Sequence, residues 1–337
     1  MTESRKLQIA GGSSYVVSLP KPWVLRAGLK AGDTIFLDAQ GDGSISLRYR
    51  ASEKPALRRK SFEVHADEER EHLLRKLVGS YVSGFSIIEV RFPPDHGPFV
   101  RRTAREFCRS VVGPEVVEEQ RNTLVIQDVS DPSDLSSEKC LRRMHLIVRS
   151  MLEDSVQSLK LAQESLAEDV IQRDQDVDRL FWMISKQYRS SLTPTLTGNG
   201  DLASAHIPFL VGKSLERIGD HAQRIAGTLP VIARGKGLDS KIAKEMDLAC
   251  ASSIGLLDKA FSSLVTRNID QANETIDGLD SNQKVINNLS NLVATRKGEE
   301  LLALGTVVDS LGRAAAYASE IAEQAIDLAI VLDGRES

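Results

Sequence analysis

Cysteine is scarce in this 337-residue chain: Cys108, Cys140 and Cys250 are the only three, and no two share a paired spacing. Lying in helical patterns, they read as small buried hydrophobes in a reducing compartment. No apolar run approaches the roughly 20 residues needed to cross a bilayer. The start, Met-Thr-Glu-Ser-Arg-Lys, has no apolar core behind it and is not a secretory signal. These absences point to a cytoplasmic protein without membrane insertion. Histidine is sparse too, and His65, His72 and His96 stand isolated, as structural histidines do. Between residues 58 and 130 there is no phosphate-cradling glycine loop, no metal spacing and no nucleophile constellation, so nothing there argues for catalysis.

What is present is length and an uneven charge. At about 150 residues per domain the chain holds two or three domains. The formal net charge of −4 divides unevenly: residues 1–60 carry 11 Lys and Arg against 5 Asp and Glu, a net of +6, which leaves −10 for the rest. Without Arg58, Arg59 and Lys60 the head still carries +3. A basic head therefore precedes an acidic body.

In the head, Tyr15 to Leu19 is a β-branched strand ended by Pro20. Lys21 to Ala27 has room for two helical turns, with Gly28 as the stop. Strands at Thr34 to Asp38 and Ser44 to Arg48 flank Gly41-Asp42-Gly43, a hairpin turn. Such a unit buries little by itself and requires a second copy. The run from Gly12 through Tyr15-Val16-Val17-Ser18-Leu19-Pro20-Lys21, with Gly28-Leu29-Lys30-Ala31-Gly32-Asp33 after it, resembles the swapped-hairpin domain of AbrB, SpoVT and MazE-type DNA-binding proteins. That resemblance implies a homodimer of interleaved hairpins holding duplex DNA over residues 1–52. Arg5, Lys6, Lys21, Arg26 and Lys30 are the basic groups available to phosphates. The position before Leu-Pro, basic in many antitoxin members, is Ser18 here, which weakens base readout more than backbone binding.

After a hinge at Ala51 to Lys60, strand and helix patterns alternate over 58–130. They run as a strand at Ser61 to His65, a helix with Leu73, Leu77 and Tyr81 inward, and a strand at Phe85 to Phe92. A helix with Val100, Ala104 and Phe107 inward follows, then two strands around Gln120-Arg121-Asn122. This is a small two-layer α/β domain, a spacer or a surface for a regulatory partner.

Past the turn-rich boundary Asp131 to Ser136, helical periodicity fills 136–334, with helices expected at 137–168, 170–191, 203–229, 240–266, 268–296 and 299–332. Breaks fall at Pro194 with Gly198-Asn199-Gly200, at Pro230 and at Gly235-Lys236-Gly237. The third helix carries the seam Leu215, Ile218, Ala222, Ile225 and Leu229. Gly219 beside it lowers helix propensity by roughly 1 kcal/mol relative to alanine, which suggests a close neighbour. Glu216 and Asp220, one turn apart, flank this seam. Asp174 and Asp178 also sit four apart, in a segment whose stripe is Val170, Ile171, Val177, Phe181 and Ile184. Taken alone, Glu216 and Asp220 read as solvated surface acids, whereas Asp174 falls in line with Val177 and Phe181, a poor place for an uncompensated charge. If the two helices are neighbours, four oxygen-rich side chains converge, a set for iron, zinc, manganese or magnesium.

Leu215-Glu216-Arg217-Ile218-Gly219-Asp220-His221-Ala222, preceded by Asp174-Gln175-Asp176-Val177-Asp178-Arg179-Leu180, resembles the PhoU domain of phosphate-uptake regulators. The resemblance covers roughly the last three-fifths of the chain. It implies two similar three-helix bundles, and it implies metal held by Asp174, Asp178, Glu216 and Asp220. In the second copy Leu311-Gly312-Arg313-Ala314-Ala315-Ala316 and Ile286-Asn287-Asn288-Leu289 stand where the motifs would be, so Gly312, Ala316 and Asn287 replace acids.

The fold expected is thus multidomain: a swapped-hairpin β domain, a small two-layer α/β domain and an all-α body of two three-helix bundles. Together the resemblances imply an archaeal-type, phosphate-responsive transcriptional regulator, a DNA-binding dimer whose body carries a divalent or trivalent metal ion. The link to phosphate comes from resemblance alone. An alternative is a signalling adaptor that binds no DNA and restrains a phosphate transporter ATPase or a phosphate-sensing protein. A carboxylate-bridged metal enzyme fits less well: Glu216 and His221 are five apart and not on one face, unlike the Glu-x-x-His of di-iron bundles. The chain is therefore not expected to be an enzyme.

Overall fold

The structure, a computed structural model, describes residues 4–11, 14–39, 45–48, 57–130, 135–192, 202–235 and 237–336. The expected turn at Gly41-Asp42-Gly43, most of the hinge, residues 131–134 of the boundary, the breaks at 194 and 198–200, and Lys236 lie outside the described residues. The chain divides into two units, Met1–Ala56 and Leu57–Ser337.

In the first unit β1 (Gln8–Ala10) pairs antiparallel with β2 (Ser14–Val16), and β3 (Phe36–Ala39) with β4 (Ile45–Arg48), Leu37 opposite Leu47. Between the hairpins lies α1 (Lys21–Arg26), with Pro22 in its first turn. Gly28, at φ +68°, follows it in the left-handed region that favours glycine. Strands of three and four residues cover little, and no described side chain of this unit is buried. Leu7, Ile9, Tyr15, Leu25, Leu37 and Ile45 all lie exposed.

The second unit opens with a four-stranded sheet in the order β5-β6-β8-β7. Its elements are β5 (Arg59–Glu63), α2 (Arg70–Val82), β6 (Ile87–Arg91), α3 (Gly97–Ser110), β7 (Pro114–Glu119) and β8 (Thr123–Asp128). β5 runs parallel to β6 across the α2 crossover, and the remaining pairs are antiparallel. Leu73, Leu77, Tyr81, Val90, Phe107 and Ile126 fill the layer between sheet and helices. His96 Nε2 lies 3.0 Å from the Ala66 carbonyl, a structural role, while His65 and His72 are exposed.

The helical body comprises α4 (Ser137–Leu161), α5 (Glu164–Ser191), α6 (Leu202–Ala226), the short α7 (Leu229–Arg234), α8 (Ser240–Thr266), α9 (Ile269–Val293) and α10 (Gly298–Glu336). Two three-helix units result, α4-α5-α6 and α8-α9-α10, joined where α6 meets α10 and α4 meets α8. Ser136, Asp239 and Asn268 cap α4, α8 and α9 through their side chains.

Several expectations need correction. The first break falls at Ala162 and Gln163, not at residue 169. Ala162 takes the left-handed conformation, φ 50°, and its N–H closes onto the Ser158 carbonyl. Arg267, φ 55°, closes onto Ser263 in the same way between α8 and α9. Pro230 does not break a helix but sits in the first turn of α7, whose leading Leu229 is buried. Ile171, placed in the inward stripe, is 39% exposed. Finally, α8 is long and apolar enough to cross a membrane by length and composition, contrary to the expectation that no segment is. Over half of that stretch is buried inside the bundle.

The α/β layer seats on α5. Trp182 packs against both hydrophobic cores, and the Tyr81 hydroxyl donates to the Val112 carbonyl at 2.9 Å beside the Met183 sulfur. Lys186 ion-pairs with Asp128 and lies over the Tyr81 ring, 4.8 Å from its centroid. Cys140 and Cys250 are buried and Cys108 is half-buried; all three are free thiols. Burial raises Cys108 and Cys140 to about 11 and Cys250 to about 12, which keeps them protonated and unreactive.

Candidate functional site

Helices α5 and α6 pack along their lengths, and Gly219 sets how closely. A Cβ at 219 would stand 3.2 Å from the Asp174 Oδ1, with Val177 and Val148 at 3.5 and 3.6 Å. The glycine thus admits a neighbouring carboxylate and two valines. Asp174 itself is 7% exposed, and its Oδ1 is buried without a hydrogen-bond partner. Burial, then the charges of Asp178, Asp220 and Glu216, pushes its carboxyl up to about 7. Burial followed by Glu216 and Asp220 raises Asp178 to about 6, against the pull of Lys213. The two acid pairs are therefore one electrostatic cluster at the α5-α6 seam.

Two cations border it. Lys213 lies 3.0 Å from Glu216 Oε2, and Arg217 Nη1 donates to Asp220 Oδ2 at 3.3 Å. Both bridges run along α6, between residues three apart. In these rotamers no group of three His, Cys, Asp or Glu side chains among the described residues is set to hold an ion. The donor chemistry still fits a hard cation: four carboxylates, one of them with an orphaned buried oxygen. Sequence reasoning missed Lys213 as part of the site, although its place three residues before Glu216 is the signal that could have found it.

The second three-helix unit lacks this cluster. The matched turns at Ala162 and Arg267 bring Ala167, Val170, Val177, Phe181 and Ile184 into register with Ala272, Thr275, Asn282, Ile286 and Leu289, all buried. Asp174 and Asp178 then correspond to Leu279 and Gln283. The sequence-based counterpart, Asn287, lies one turn too far along α9. On α10, Leu311, Ala314, Ala318 and Ile321 repeat the burial of Leu215, Ile218, Ala222 and Ile225, so Gly312 and Ala316 do replace Glu216 and Asp220. Gln283, Gly312 and Ala316 line a cavity of about 290 Å³ at the corresponding place.

His221, which does not share a face with Glu216, turns toward α10. It is 7% exposed, its Nδ1 lies 3.2 Å from Ser310 Oγ, and its ring stands 5.9 Å from that of Tyr317. Both rings line a second cavity, of about 410 Å³, between the two helical units.

In the head, Arg5, Lys6, Lys21 and Lys30 are all exposed, and the side chain of Arg26 lies outside the described residues. Arg5 Nη1 donates to the Ser4 carbonyl at 3.2 Å, and the Lys30 amide donates to Asp33 at 2.7 Å, tightening the turn after α1.

Residues 141–229 match the PhoU domain model, a span that runs from α4 to the start of α7. Residues 8–54 match the model for MazE, a bacterial antitoxin described as antidote-toxin recognition. Two solved structures are similar. PhoU from Pseudomonas aeruginosa gives a TM-score of 0.52 at 20% identity, over 57% of this chain and 94% of that one. The phosphate transport system regulatory protein PhoU from Streptococcus pneumoniae gives 0.50 at 16% identity, over 57% and 92%. At these identities the likeness establishes the fold of the helical body. No curated protein matches the chain significantly. Both matched families are regulatory and non-catalytic. The chain joins a MazE/AbrB-type domain at its N-terminus to a PhoU domain in its helical body.

Proposed function

We propose that the protein is a cytoplasmic transcriptional regulator of phosphate uptake that binds duplex DNA as a homodimer through its head and holds a metal ion in its body. The observation that carries this reading is the state of the head: basic side chains stand on a unit in which no described residue is buried and Leu7, Ile9, Tyr15, Leu25, Leu37 and Ile45 lie exposed. Pairing with a second copy covers those apolar groups and doubles the positive charge offered to phosphates. Asp174, Asp178, Glu216 and Asp220 are the residues that would hold the metal. Bound there, a cation supplies the positive charge that lets four carboxylates stay ionised side by side. Asp174 and Asp178 would contribute buried oxygens, while Glu216 and Asp220 exchange Lys213 and Arg217 for the ion.

The test is fluorescence anisotropy of the full chain on genomic DNA fragments over a salt series. Binding should fall steeply with salt, and alanine at Arg5, Lys6 and Arg26 should flatten the slope of log K against log salt by about 0.9 for each phosphate no longer neutralised. Absence of duplex binding at low salt would transfer the function to the adaptor reading.

A further inference from the structure

The cavity between the two helical units has a composition unlike the acid cluster beside it. It lies between α6 and α10, and Arg217, Arg224 and Arg313 all face into it. Against these stand only Asp220 and Asp309, so the lining is net positive. The two acids are already engaged, Asp220 with Arg217 at 3.3 Å and Asp309 with Arg313 at 3.8 Å. Arg224 makes no ion pair or hydrogen bond among the described residues. At the floor is His221. His221 Nδ1 lies 3.2 Å from the Ser310 hydroxyl, and the neutral tautomer in which that hydroxyl donates to Nδ1 carries the ring proton on Nε2. That Nε2–H makes no bond to another described residue, and it leaves a donor free on a ring that lines the cavity. The Tyr317 ring is the one large apolar surface in the lining.

Such a site rejects apolar ligands and bare cations and favours a compact anion with several acceptor oxygens. Planar guanidinium forks match a phosphoryl group's oxygens in pairs. We infer that the α6-α10 cavity is a phosphoryl-anion site, with Arg224, Arg313 and His221 as its donors. Its volume of about 410 Å³ falls within the ~300–1,000 Å³ of small-molecule sites and exceeds what lone orthophosphate fills. The phosphoryl group therefore comes either free or on a larger body, whose ring Tyr317 can stack against. This deepens the proposed function by giving the body an input, and it rests on that reading only for its regulatory consequence. Asp220 sits on the boundary of both sites, so ligand and metal share one wall.

The experiment is calorimetric titration of the chelator-treated full chain with inorganic phosphate and, separately, with adenosine monophosphate. Saturable binding of either probe is expected. Preference for one identifies the source as free anion or phosphate ester. Arg224→Ala with Arg313→Ala, both on exposed surface, should weaken it at least tenfold, while Arg142→Ala, elsewhere on the surface, should not. No saturable binding of either probe at millimolar concentration overturns the inference. So does full binding by the double arginine variant, or saturable binding that appears only in chain not treated with chelator, which would mean that the anion is held through a metal. Anion binding is read without DNA, so a chain that binds phosphate and not DNA fails only the transcriptional reading.

Discussion

Gly219 and Asp174 approach so closely that a methyl group on the first would meet the second's Oδ1 at 3.2 Å. Gly255, a helical glycine with no atom within 4 Å of such a methyl, is its control. Gly255→Ala should stabilise by about 0.5–1 kcal/mol through helix propensity. Gly219→Ala should show no gain and should reduce metal uptake, because the added methyl displaces a carboxylate with nowhere to turn. Urea denaturation of the two variants checks this. Equal stabilisation by both substitutions would show that the α5-α6 seam has slack.

The same carboxylate makes stability depend on pH. Asp174 and Asp178 are raised to about 7 and about 6 in the folded chain, above the ~3.9 of an unfolded aspartate. The folded state therefore binds their protons more tightly. Their contribution is fully present below about pH 4 and is lost as pH rises through 6 and 7. Metal-free protein should become less stable between pH 5 and 7.5, and Asp174→Asn should recover on the order of 2–4 kcal/mol at the upper end. Thermal melts in chelator at both pH values measure it. Parallel loss in variant and wild type would remove Asp174 as the cause.

Metal should bind to one three-helix unit and not to the other. Leu279, Gln283, Gly312 and Ala316 offer one amide where the first unit has four carboxylates. Elemental analysis should find a single site per chain, abolished by Glu216→Ala with Asp220→Ala while helical content stays intact, since removing acids that repel one another need not unfold a bundle. A second site independent of these residues would refute the assignment.

Lys186 and Asp128 form an ion pair with side chains 14% and 9% exposed. Lys186→Met should cost about 3 kcal/mol, because it leaves Asp128 charged and enclosed. Asp128→Asn combined with Lys186→Met should regain part of that loss. Denaturant midpoints of the two variants give the answer, and an equal loss in both would mean that packing rather than charge holds the seat.

Much of this architecture is legible in the residues. Alternation at Ile88 and Val90 and the three/four spacing of Leu215, Ile218 and Ala222 are direct consequences of side-chain direction in strand and helix. The pairing of the two acid-bearing helices stands in the sequence only as a condition, with Asp174 in line with Val177 and Phe181 as the residue that points to it. Ala162 is not legible. Alanine is the best helix former, and its left-handed turn is set by capture of the Ser158 carbonyl and by how α4 and α5 pack. The one-turn slip that chose Asn287 over Gln283 has the same origin, since the register of α9 is counted from Arg267. The α6-α10 cavity is equally invisible, because Arg224 and Arg313 meet only through the packing of the two halves.

Helix α5 belongs to two neighbourhoods at once. Asp174 and Asp178 lie near its middle, and eight residues beyond Asp178, about 12 Å along the axis, Lys186 grips the sheet through Asp128. Trp182 lies midway with a face in each core. The helix is thereby an axle. Any turn imposed on it by filling or emptying the carboxylate cluster is delivered to the α/β layer without an intervening joint, and a segment that reads in sequence as a spacer becomes the dial on which the state of the acids is displayed.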